Sequence, residues 1–138
     1  SYLPGVVGTR AMAIDADGAP HYIYAAAEND DKSIHIRLAV FTDGAWEITD
    51  LADHLLVEAE LIIDDDGVHH LAALRSDNDN TLLYATDAGG VWHFQEVATE
   101  VNLHLTAKPE LLADGSVQLA FRSGSGLWRT VIAPPVNR

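Results

Sequence analysis

Cysteine is absent from the chain, so a disulfide scaffold, a thiolate metal site and a cysteine nucleophile are all excluded. Basic residues are scarce: 8 Lys and Arg stand against 21 Asp and Glu, for a net charge of −13. Such a chain repels phosphate backbones and anionic headgroups, which argues against nucleic-acid and membrane partners. No apolar run approaches the roughly 18 residues of a membrane-spanning helix, and the first residues carry no signal-peptide pattern. The compartment stays open, with a secreted or cell-surface setting favoured over the cytoplasm. What is plentiful is apolar side chain, 48 % of 138 residues, enough for one folded domain with its own core.

The chain repeats itself. Asp-Gly pairs fall at Asp17-Gly18, Asp66-Gly67 and Asp114-Gly115, separated by 49 and 48 residues. Three residues after each glycine stands His21, His70 or Gln118. A second marker, Gly-x-Trp, occurs at Gly44–Trp46 and Gly90–Trp92. Around these markers apolar and polar residues alternate with the period of two that defines a β-strand. Asp-Gly between such runs predicts a type I′ hairpin turn, whose two central residues both need positive φ.

The unit is therefore four short strands in about 48 residues, the size of one β-propeller blade. The pattern predicts strands at about 10–15, 20–27, 34–41 and 45–50 in a first unit (residues 1–50). A second unit (51–98) has them at about 58–63, 69–75, 81–86 and 91–97. A third (99–138) has them at about 107–113, 117–122 and 127–133 and lacks a fourth strand. Residues 50–60 are expected as a connecting loop, and residues 1–7 as the tail of a preceding fourth strand. The fold class is all-β, a single domain of three propeller-type blades.

Ile14-Asp-x-Asp-Gly-x-x-His21, Leu83-Tyr-Ala-Thr86 and Gly89-Gly-x-Trp92 resemble the bacterial propeller repeats related to sialidases and Asp-box proteins. Asp87, Gly89 and Trp92 match the Asp-box core Asp-x-Gly-x-x-Trp, with Ala85 at the position of the leading serine. The resemblance implies that loops joining second to third strands, and fourth strands to the next unit, share a ligand-bearing face. Known propellers have about four to eight blades, and three leave open edges. A homodimer that closes a six-bladed ring is the expected partner arrangement; a piece of a longer repeat protein is the other.

Candidate site residues follow from that face. Asp30, Asp31, Asp77 and Asp79 lie in the second-to-third-strand loops, and Arg75 and Arg122 end equivalent second strands. Tyr24 sits near the end of its own second strand, and Trp128 is out of register with Trp46 and Trp92. These residue types suit a sugar hydroxyl or a protein partner. No catalytic residue and no metal ligand is assigned. Trp46 and Trp92 are expected to pack between units, and His21 and His70 to hydrogen-bond a neighbouring strand or turn. The acidic runs at Asp15–Asp17 and Asp64–Asp66 resemble calcium loops but lack the closing Glu, so turn chemistry accounts for them and no cofactor is expected.

The expected function is a non-catalytic module that binds carbohydrate or a protein. The first alternative is a sialidase-like glycoside hydrolase with Arg75, Arg122 and Arg10 on a substrate carboxylate at the ring centre. The second is an assembly domain with no small ligand.

Overall fold

A computed structural model describes residues 6–27, 34–52, 56–75, 80–101, 109–124 and 126–133. Those residues form an all-β structure of three antiparallel sheets, without a helix among them. The first sheet runs β1 (Val6–Ile14), β2 (Pro20–Ala27), β3 (Ile34–Thr42) and β4 (Ala45–Ala52) in chain order. The second runs β5 (Leu56–Ile63), β6 (His69–Arg75), β7 (Thr81–Thr86) and β8 (His93–Ala98). The third holds β9 (Glu110–Leu111), β10 (Val117–Ser123) and β11 (Gly126–Ile132), with β10 in the middle.

Two expectations are corrected at the strand ends. Val6 and Val7 belong to β1, with Val6 opposite Ala26 of β2, so they are not the tail of a preceding strand. The link expected over residues 50–60 is mostly strand: β4 runs on to Ala52 and β5 starts at Leu56, because Asp50 and Ala52 still find ladder partners in Arg37 and Ile36.

The turn type is also corrected. In the turns at Gly18, Gly67 and Gly115 only the glycine has positive φ, at +85°, +81° and +87°. The Gly18 N–H donates to the Asp15 carbonyl and the Asp15 N–H to the Ala19 carbonyl. That is a three-residue turn closed by a left-handed glycine, not a two-residue one. The same bonds recur at Asp64–Val68 and Leu112–Ser116. The type I′ turn occurs at Asp43-Gly44 instead, where φ is +52° and +81°.

The sheets stack face against face. Between the first and second lie Ala11, Ile23, Ala25, Ile36 and Leu38 against Ala59, Leu61, Leu71, Ala73, Leu83 and Ala85. The opposite face of the second sheet, with Ala72, Leu74, Leu82 and Tyr84, meets Val117, Leu119 and Phe121 of the third. The second sheet is thus covered on both faces, and β6 and β7 are buried for all but their last residues. This explains why their sequences, HHLAALR and TLLYAT, show weaker alternation than β10 (VQLAFRS), which has one covered face.

The stack has a direction. Each sheet packs the face carrying its second-strand marker (His21, His70) onto the opposite face of the next sheet. Two faces have no described strand packed on them. One is the outer face of the first sheet, with Met12, Ile14 and Ile48 exposed; Tyr24, Ala26 and Ala39 form a small cluster there under Tyr22 and Trp46. The other is the outer face of the third sheet, where Leu127 (72 % exposed) and Val131 stand opposite Arg122 and Gln118.

Candidate functional site

The most elaborate polar constellation spans the first two sheets. Asp15, at the start of the first turn, uses both carboxylate oxygens. Oδ1 accepts the Asp17 and Ala19 N–H groups, and Oδ2 lies 2.8 Å from His21 Nε2. Asp64 repeats this: Oδ1 accepts from Asp66 and Val68, and Oδ2 lies 2.9 Å from His70 Nε2. An aspartate at the turn and a histidine six residues later thus lock each hairpin. The third unit has Leu112 and Gln118 at these positions. Both halves of the bond are replaced together, and Asp114 accepts from the Ser116 N–H and hydroxyl instead.

The second ring nitrogen distinguishes the two histidines. His70 Nδ1 lies 2.7 Å from the Tyr84 hydroxyl on the same sheet. In the first sheet the residue opposite Ile23 is Leu38, where the second sheet has Tyr84 opposite Ala72. Leu38 has nothing to offer, and His21 Nδ1 instead meets His69 Nε2 of the second sheet at 2.8 Å. His69 and His70 point to opposite faces of β6, as alternation requires. His21, His69 and His70 are all buried.

His69 is in turn held by Asp87. Asp87 Oδ1 accepts the His69 N–H and Oδ2 lies 2.7 Å from His69 Nδ1. The Thr86 hydroxyl donates to the His69 carbonyl, and the Trp92 ring lies 5.5 Å from the His69 ring. In the first unit the residue before the marker histidine is Pro20, which has no N–H to donate. There the box shrinks to the two-residue Asp43-Gly44 turn. A continuous line therefore runs Asp15, His21, His69, Asp87 across the interface.

The electrostatics follow from these bonds. Hydrogen bonds from His21 and the Ala19 and Asp17 amides hold the Asp15 carboxyl below the usual range. Burial pushes Asp64 and Asp87 upward, but their histidine and amide donors outweigh it and both also end below the usual range. The Ser116 hydroxyl and amide do the same for Asp114. Burial pushes the Tyr84 hydroxyl up, so it keeps its proton and can donate to His70.

Each such carboxylate stabilises the fold above the unfolded value of about 3.9 and loses that contribution as pH falls through its lower folded value. Unfolding followed by circular dichroism should thus show stability flat from pH 6 to 5 on the account of these groups and falling steadily below about pH 4. In Asp64→Asn the acid limb should be shallower.

The loop residues Asp30, Asp31, Asp77 and Asp79 lie outside the described residues, and so do His54 and His104. Arg75, at the end of β6, reaches Glu96 of β8 at 3.2 Å. Arg122 is exposed on β10, opposite Leu127. The side chain of Arg10 is also outside the description, so three arginines are not brought together among the described residues. Tyr24 is 1 % exposed and packs with Ala26 and Ala39 in the core of the first sheet, away from solvent.

Trp128 is 57 % exposed on β11, opposite Phe121. Its indole lies over the hairpin at Gly126, where a Cβ would come within 3.0 Å of Nε1. Trp92 packs against the cluster between the first two sheets, whereas Trp46 lies on the outer face of the first, edge-on to Tyr22 and Phe41. Among the described residues, no three His, Asp or Glu side chains converge as a metal site.

Repeat equivalence signalled His21 and His70, and a resemblance to the Asp-box pattern signalled Asp87, but His69 carried no signal beyond its place beside His70. Its partner stands 48 residues away, and no local pattern announces a contact between stacked faces. Comparison with protein-family models and with curated proteins finds no match for this sequence.

Proposed function

We propose that this chain is a β-propeller-type interaction module whose blades are completed by a second copy of itself. The observation that carries the reading is the direction of the stack. The marker-bearing face of the third sheet and the opposite face of the first are the two kinds of face that mate inside the chain, and no described strand packs on either. Each carries large exposed apolar side chains: Leu127 and Val131 on one, Met12, Ile14 and Ile48 on the other. Two copies related by a two-fold axis mate these faces twice and make a ring of six blades. Among the described residues β11 is an edge strand of the third sheet, which a further strand would extend.

Recognition of a protein partner or a carbohydrate is then assigned to Asp30, Asp31, Asp77 and Asp79, which follow β2 and β6 in sequence, together with Arg75 and Arg122 near the ends of β6 and β10. Equivalent loops around a ring present several weak sites that add by avidity. The glycoside hydrolase reading has less support, because Tyr24 is buried and Arg75 is engaged by Glu96.

Light scattering on a sizing column tests the assembly. The expected mass is twice the 14.9 kDa of one chain. Ile48→Glu, which puts a charge on the outer face of the first sheet, should return the mass to one chain without loss of strand signal. A wild-type mass of one chain at all concentrations up to the millimolar range would reject the dimer.

A further inference from the structure

We propose that His21 and His69 share a single extra proton, so that the contact between the first and second sheets is a proton-operated clasp. The argument is a count of protons on four ring nitrogens. His21 Nε2 faces the Asp15 carboxylate at 2.8 Å and His69 Nδ1 faces the Asp87 carboxylate at 2.7 Å. A carboxylate only accepts, so both of these nitrogens carry hydrogen. The hydrogen bonds that hold Asp15 and Asp87 ionised also prevent the carboxyls from supplying one themselves. A neutral imidazole has one N–H, and each ring has now used its own.

The remaining nitrogens, His21 Nδ1 and His69 Nε2, stand 2.8 Å apart. If both rings were neutral, two lone pairs would face each other at hydrogen-bond distance in a buried site, with no attraction to hold them there. One added proton turns this contact into a charge-assisted N–H···N bond. The positive charge it brings lies between two carboxylates, so the line carries a net charge of −1. The neighbours across the strands are Ala13 and Val40 for His21 and Ile63 for His69, the ring beside His69 is Trp92, and the charged residue on the same face of the first sheet is the exposed Glu47 of β4, one strand beyond Val40.

The second sheet contains the control. His70 has the same aspartate on Nε2, but its Nδ1 faces the Tyr84 hydroxyl, which donates, so a neutral ring satisfies both contacts. The position of His69 is taken by Val117 in the third unit, and the second and third sheets meet there through apolar groups. The clasp is thus specific to one interface.

A sign follows. Above about pH 6.5 the unfolded histidines are neutral, so the folded chain holds one proton more than the unfolded chain. Stability that depends on a proton bound in the folded state falls as pH rises, by up to ten-fold in the unfolding constant per pH unit. Acidification from pH 8 to 7 therefore tightens the contact between the sheets, and alkaline pH loosens it.

The test is nitrogen NMR on uniformly 15N-labelled protein at pH 7, together with urea unfolding from pH 6.5 to 8.5. The expected result is a coupling across the hydrogen bond between His21 Nδ1 and His69 Nε2, with a shared far-downfield proton, and an unfolding constant that rises with pH. That alkaline limb should vanish in His21→Gln and persist in His70→Gln. The proposal is overturned if both facing nitrogens resonate as unprotonated at pH 7, or if the alkaline limb is unchanged in His21→Gln.

Discussion

Replacing Leu71 with alanine will cost about 2–5 kcal/mol of stability, and replacing Leu74 will cost a similar amount. The two residues lie three apart on β6 and face opposite ways. Leu71 is buried among Ile23, Ala25 and Leu61 between the first and second sheets. Leu74 is buried with Leu82, Leu119 and Phe121 between the second and third. In an ordinary two-layer sheet protein one of them would face solvent and its truncation would cost little. Here the middle sheet has no solvent face, so both truncations lose transfer energy and leave a cavity.

Urea unfolding with an unchanged slope reads the effect as stability alone. Leu127→Ala, on the outer face of the third sheet, should stay within about 0.5 kcal/mol in the single chain. A loss below about 1 kcal/mol for either β6 residue would show that its interface is not packed in solution.

Asp87→Ala should cost about 2–6 kcal/mol, from two donors orphaned at about 1–3 kcal/mol each. One is the His69 main-chain N–H and the other its Nδ1–H. Losing the second also frees the ring that meets His21 across the interface. Asp87→Asn keeps an acceptor oxygen for one of the two donors and should cost less. Asp43→Ala is the contrasting change: Asp43 occupies the neighbouring unit's shortened turn and is exposed, and the residue before His21 is Pro20, without an N–H. It should cost no more than about 1 kcal/mol, the strain of an alanine at positive φ. Thermal unfolding of the three variants side by side checks the order. Equal losses at Asp87 and Asp43 would mean that Asp87 acts only as a turn residue.

Much of the strand map was readable from alternation and turn residues. The strands expected at 20–27, 69–75 and 81–86 coincide with β2, β6 and β7. These segments are bounded on both sides by Asp-Gly or polar clusters, which end a period-two run cleanly. The ends without such punctuation were misread. β1 begins at Val6, before Gly8 and Thr9, because main-chain pairing with β2 continues past residues that break the apolar pattern. The turns were placed correctly and typed wrongly. Asp-Gly marks a left-handed glycine, but the number of turn residues is set by the Asp15 and Asp64 carboxylates, which cap the amides two and four residues on. The residues Asp30, Asp31, Asp77 and Asp79, expected to contact a ligand, fall outside the described residues, and the placement of Tyr24 in the core followed from the packing of Trp46 and Tyr22 over it.

By itself, then, the sequence determined that this chain is all-β and is built from a unit repeated at 48–49 residues, because hairpin formation depends on neighbours a few residues apart. It also marked His21 and His70 as equivalent. Only the tertiary structure decided which sheet faces meet, and with that the meeting of His21 with His69, the double burial of the second sheet and the two end faces on which no described strand packs. The physical reason is that sheet packing is an agreement between surfaces far apart in sequence. Alternation tells which residues share a face, and gives no sign of the face they will touch.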